Sequence, residues 1–271
     1  MLLSSVLSLF LTHLGIGLAF VLLFVSREAG VKFFRFNTGL AAVLVAIGLA
    51  VRAPMATTGI WPIIVTVALA TAELALLVYW ATVGRMWVKI RPVLLPAAAA
   101  GGLVALVAQA LVMPTRGPIP GAIETLLAVA SFVSSAMLLG STCGAMILGH
   151  WYLVIPSLDV SHLQSVARLH IASIVVRIVV VAAAVFLAIV AWQPGAGPSF
   201  ERYILSANGI FFWQRILFGL AVPAALSYLT WETAKIRSTQ SATGILYVDF
   251  FTVVVGEILA KYLLLATRVP V

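Results

Sequence analysis

Apolar stretches of about twenty residues recur from Leu3 to the end of the chain, each long enough for a helix to cross ~30 Å of hydrocarbon. With 63% hydrophobic and 9% charged residues, the chain has the lipid bilayer as its solvent. The expected fold is all-α: a polytopic transmembrane helical bundle forming a single integral membrane domain over residues 1–271.

Hydropathy places spans near Leu3 to Val25, Thr38 to Ala53, Trp61 to Val83 and Pro92 to Met113. Four more follow, near Ile123 to His150, Val166 to Trp192, Gly209 to Thr230 and Ala242 to Leu265, giving about eight. Trp61, Trp80, Trp151, Trp192 and Trp231 flank these segments at the depth an indole prefers. The second span is the shortest, because Arg52, Pro54 and Thr57-Thr58-Gly59 cut it off.

Alternate loops differ in charge. Arg27, Lys32 and Arg35, then Arg85, Lys89 and Arg91, then Lys235 and Arg237 share one side; Arg52, Arg116, Arg202 and Arg268 stand singly on the other. The positive-inside rule puts the first set in the cytoplasm and both termini outside. It also accounts for most of the net charge of +8, so nucleic acid is not an expected partner. The first helix reads as uncleaved, with no charged segment before it and no small-x-small site after it. The expected location is a bacterial inner (cytoplasmic) membrane, crossed several times.

The single cysteine, Cys143, excludes an internal disulfide or a thiolate cluster, so any iron-sulfur centre must belong to another subunit. It lies in Gly140-Ser-Thr-Cys-Gly144, a Gly-x-x-x-Gly run suited to close helix packing. The longest exteriors, Met113 to Ala122, Trp151 to Gln164 and Gln193 to Ser206, are too short to hold a core of their own. There is no clear internal repeat, no His-x-x-x-His pair, no phosphate loop and no Asp-rich diphosphate motif.

Function is therefore sought in the polar groups that lipid makes expensive. His170, Ser173 and Arg177 share a stripe of the sixth span, and Arg177 near mid-bilayer needs an anionic partner or a polar ligand. Glu73 in the third span and Asp249 in the eighth are the expected partners. Glu257 and Lys261, at i and i+4 with the acid first, form a favourable helix pair, and Lys261 is near enough to the outer end to snorkel. Glu73, Asp249 and Glu257 together would serve a proton path.

The histidines pose a separate question. His13 and His170 differ in depth by about 10 Å or less, so a bis-histidine haem b between spans one and six is allowed, and His150 with His170 is a second pairing. Gly149-His-Trp-Tyr-Leu-Val-Ile-Pro156 sets an imidazole beside two aromatics at a helix end. This composition suits a quinone head group, giving His150, Trp151, Tyr152, His170, Arg177 and Glu73 as candidate quinone residues; an interfacial aromatic belt is the alternative.

The last span, Ala242-Thr-Gly-Ile-Leu-Tyr247 followed by Val255-Gly-Glu-Ile-Leu-Ala-Lys-Tyr262, resembles the closing helix of the membrane-anchor subunits of polysulfide and dimethyl-sulfoxide reductases. The resemblance implies an eight-span subunit without a metal of its own, exchanging quinone or quinol and passing electrons to an iron-sulfur or cytochrome partner. A proton-coupled small-molecule transporter and a purely structural subunit are the alternatives. In all three, Arg177→Ala should strand its acid and reduce the yield of assembled protein; a normal yield of active protein would remove Arg177 from the site.

Overall fold

Without water to bond exposed peptide groups, a chain in lipid must satisfy its backbone within each segment, and helices do this locally. The computed structural model describes residues 2–52, 59–85, 90–113, 121–155, 158–192 and 199–271. Among these the chain is helical throughout, with eight segments long and apolar enough to span a membrane. They are α1 (Leu2–Val21), α2 (Gly30–Ala50), α3 (Ile60–Thr82), α4 (Arg91–Val112), α5 (Gly121–Val154) and α6 (Val160–Val190). A short α7 (Phe200–Ile204) precedes the seventh span, built from α8 (Ile210–Ile216), a π-helical turn (Leu217–Ala221) and α9 (Val222–Lys235); α10 (Thr239–Thr267) is the eighth. The protein is thus a multi-pass membrane bundle with both ends of the described chain on one side.

The second span is longer than its hydropathy suggests. It begins at Gly30 rather than near Thr38 and runs 21 residues, because Lys32 and Arg35 lie on its first turns instead of in a loop. Their stems reach the interface, and the Arg35 guanidinium sits 5.4 Å from the centre of the Trp80 ring. Arg27, Arg85, Arg91, Lys235 and Arg237 mark the same face, so the charge asymmetry read from the loops survives in three dimensions. Lys89, Arg116, Pro54, Thr57, Thr58 and Pro156 lie outside the described residues.

At 34 residues, α5 is the longest helix, about 51 Å at 1.5 Å per residue, and it packs against α1, α4, α6 and α10. Many of its buried residues are small: Ser131, Ser134, Ser135, Gly140, Ser141, Thr142, Cys143 and Gly144. Small residues let neighbouring backbones approach, and here the approach is extreme. A Cβ placed on Gly140 would fall 2.0 Å from the carbonyl carbon of Gly17 on α1, and one on Gly17 would fall 1.8 Å from the Ala136 carbonyl oxygen. Gly144 faces Val21 and Leu18 on the same helix, so the Gly-x-x-x-Gly run packs within the chain, with Cys143 buried beside it.

At its far end α5 is tied down by backbone bonds. The Trp151 indole donates to the Ala29 carbonyl at 3.0 Å, and the Tyr152 hydroxyl donates to the Asp159 carbonyl while accepting from the Leu163 N–H. Asp159 caps α6 by accepting from the Ser161 N–H at 2.7 Å. That N–H and the Ser161 hydroxyl hold the Asp159 carboxyl below its ordinary range. The cap is therefore present at neutral pH and is lost only as acid protonates it.

The glycine crossing gives a controlled prediction. Gly140→Ala forces α1 and α5 apart and should cost about 1–3 kcal/mol, the usual range for overpacking. Gly244→Ala on α10, where an added Cβ meets nothing within 4 Å, should leave the melting temperature in detergent unchanged or raised. Equal melting temperatures for the two variants would refute the crossing.

Candidate functional site

Two layers of buried polar side chains lie along α5, α6 and α10. Seven residues separate His170 from Arg177, and eight separate Asp249 from Glu257, so the layers are about 10–12 Å apart along the bundle.

The outer layer is built around Glu257, which is 0% exposed. Its Oε1 accepts from Arg177 Nε and from Arg215 Nη2, both at 2.9 Å. Oε2 accepts from the Ser135 hydroxyl at 2.5 Å and from Arg177 Nη2 at 3.3 Å. Lys261 donates to the same Ser135 oxygen at 2.6 Å, its ammonium 3.6 Å from Glu257. Arg177 Nη1 donates to the hydroxyl of Ser131 at 2.8 Å and to its carbonyl at 3.2 Å, and Nη2 reaches the Val271 carbonyl at 3.3 Å. His13 approaches from α1, its Nδ1 3.4 Å from the Ser135 hydroxyl and its ring edge-on to Phe132.

Three cations thus surround one carboxylate with no exposed surface. Arg177 has partners at every guanidinium nitrogen, whereas Nε and Nη1 of Arg215 have none among the described residues. Its Nη1 lies over Gly219, where a Cβ would come within 1.8 Å, and Gly219 in turn touches Gly256 on α10. The π turn carries Gly219, so the irregular stretch of the seventh span lets Arg215 fit beside Glu257.

The inner layer is a His–Asp pair. His170 Nε2 lies 2.7 Å from Asp249 Oδ2, both side chains buried. The approach is close but not aligned as a hydrogen bond, so that among the described residues neither Asp249 oxygen has an oriented donor. On the other side of the ring, His170 Nδ1 meets the hydroxyls of Thr142 at 3.1 Å and Ser141 at 3.2 Å. Nearer the basic face, the Tyr247 hydroxyl and exposed His150 Nδ1 are 2.9 Å apart. Ser173 and Thr252 are the buried polar groups on α6 and α10 between the layers, and each hydroxyl donates to its own helix backbone.

Several sequence expectations are corrected by these contacts. Arg177 pairs with Glu257, not with Glu73 or Asp249, because α3 packs mainly on α2 and α4, and Asp249 lies beside His170, about 12 Å from Glu257 along α10. Glu73 stays apart, with one carboxylate oxygen buried and unpartnered among the described residues. Lys261 does not snorkel: after the left-handed turn at Arg268 the chain doubles back, burying Val269 and Val271 at that end of the bundle. Trp151 and Tyr152 serve the backbone, and His150 is separated from Arg177 by the whole inner layer.

A haem held by His13 and His170 does not suit this packing. His13 meets α5 at Ser135 and His170 meets it at Ser141 and Thr142, six to seven residues or about 10 Å further along that helix. Both His170 nitrogens already face protein groups. Among the described residues no group of three His, Cys, Asp or Glu is placed to hold a metal.

Arg215 escaped the sequence reading, although a cation six residues into an apolar span is also costly and calls for a partner. The serines were legible too, since 131, 134 and 135 share one helical stripe.

Glu257→Gln removes the carboxylate that Arg177, Arg215 and Lys261 share, for an expected loss of about 3–5 kcal/mol. Combining it with Arg215→Met should recover part of that loss in thermal unfolding; an E257Q protein as stable as wild type would mean the cluster is not held by charge. No family model, curated protein or solved structure matches this chain.

Proposed function

We propose that the protein is the proton-handling, quinone-linked membrane subunit of an electron-transfer complex. The observation that carries this reading is the succession of titratable groups from the basic face inward: His150 and Tyr247, then Asp249 and His170, then the Glu257 cluster. Structural ion pairs need no such order, whereas a proton route does.

In this reading a quinol head group docks in the interfacial zone against His150 and Tyr247, the two members of the series that are exposed. Oxidation of one quinol releases two electrons and two protons. The electrons leave through an iron-sulfur or cytochrome partner, and the protons pass by way of His150 and Tyr247, with Asp249 about one half-turn deeper on α10 as the next acceptor. The likeness of the last span to reductase anchors supports the assignment, as does the succession of eight apolar spans with short stretches between them.

One observation favours a second reading, proton-coupled transport of a small anion. Three cations on one carboxylate, with two Arg215 nitrogens unpartnered among the described residues, make a site that an anion would complete.

Gentle purification from native membrane separates the two. We expect a co-purifying redox subunit and bound quinone, and at least a tenfold slower quinol-dependent reduction of that partner in Asp249→Asn and in His150→Ala with assembly intact. Protein that emerges alone and quinone-free, and that moves protons with an anion in liposomes, would replace this reading by the second.

A further inference from the structure

The bundle holds a second polar feature, remote from the buried layers. At the basic face the ends of α1, α2, α3 and α4 enclose a cavity of about 400 Å³, within the range of small-molecule sites. Its wall is apolar: Leu22, Leu23, Val31, Phe34, Val83 and Leu95. Among the described residues Arg27, Arg91 and Tyr79 are the polar side chains that line it, and no acidic one does. Glu28, the neighbour that might neutralise Arg27, is turned toward His162, 2.7 Å away.

This combination defines the ligand chemistry. Two guanidinium groups and a phenol beside an apolar wall suit a phosphate ester joined to hydrocarbon. The rim of that wall is apolar and open, with Leu23 39% and Val31 49% exposed, while Leu22, Phe34, Val83 and Leu95 line its buried depth. A soluble phosphate ester has no use for such a wall. We propose that this cavity binds the head group of an anionic phospholipid, its phosphate held by Arg27 and Arg91, with Leu23 and Val31 leading its acyl chains into the membrane.

The site depends on neither layer of the core, and its occupancy is read without any assay of turnover. Native mass spectrometry of the purified full-length protein, after exchange into phosphatidylglycerol or phosphatidylcholine, reports retained lipid. We expect phosphatidylglycerol to be retained and phosphatidylcholine not. The double variant Arg27→Gln, Arg91→Gln should bind the anionic lipid about fivefold more weakly per charge removed, the equivalent of ~1 kcal/mol each. Val31→Trp, which fills the cavity without altering charge, should reduce retention similarly, and it guards against misfolding or inversion of the arginine variant. Retention of both lipids alike, or retention unchanged in both variants, overturns the proposal. Displacement of the lipid by glycerol 3-phosphate at equal concentration overturns the lipid as occupant and assigns the site to a soluble phosphate ester.

Discussion

One carboxylate joins the half of the bundle formed by α5, α6, α8 and α10. Glu257 receives Arg177 from α6, Arg215 from α8 and Ser135 from α5, and every one of these groups is shut away from solvent. Burying a charge is costly, and an ion pair offsets that cost only when its remaining donors and acceptors are also met. The serine face of α5 meets them for Arg177 and Lys261. Ala136, Gly140 and Gly144, on a different face of the same helix, let α1 press onto α5, so one helix serves close packing on one side and charge burial on another.

How much of this was legible follows from what a sequence can encode in one dimension. Hydropathy located all eight spans, and the 3.6-residue period put His170, Ser173 and Arg177 on one stripe. Each of the three is buried. Glu257 and Lys261 were paired from their spacing, and the structure holds them 3.6 Å apart. The period does not say which helix lies opposite. Arg177 is therefore expected opposite Glu73 or Asp249, whereas the acid that the helix packing brings to it is Glu257, eight residues further along α10 than Asp249. His170 and Asp249 were each noticed, and their juxtaposition was not.

The corrections at the helix ends have a different origin. Lys261 looked free to snorkel because distance to a helix end was counted along α10 alone, and the chain beyond Arg268 folds back to close that end. Trp151 and Tyr152 have the composition of a ligand site, yet their polar atoms are spent on the Ala29 and Asp159 carbonyls. Composition gives a side chain's capacity for bonding. Whether a backbone group claims it first is settled by the turn geometry around α5 and α6.

The spacing of the two layers also has an electrical meaning. A gap of about 12 Å is roughly two-fifths of a 30 Å hydrocarbon core, so a unit charge moved from Asp249 to Glu257 crosses about that share of the membrane voltage, or ~0.9 kcal/mol per 100 mV. Ser173 and Thr252, the hydroxyls within the gap, are turned onto their own helices. Among the described residues neither hydroxyl is turned to bridge Asp249 and Glu257, so a charge passing between the two acids would meet that share of the membrane voltage in a single step.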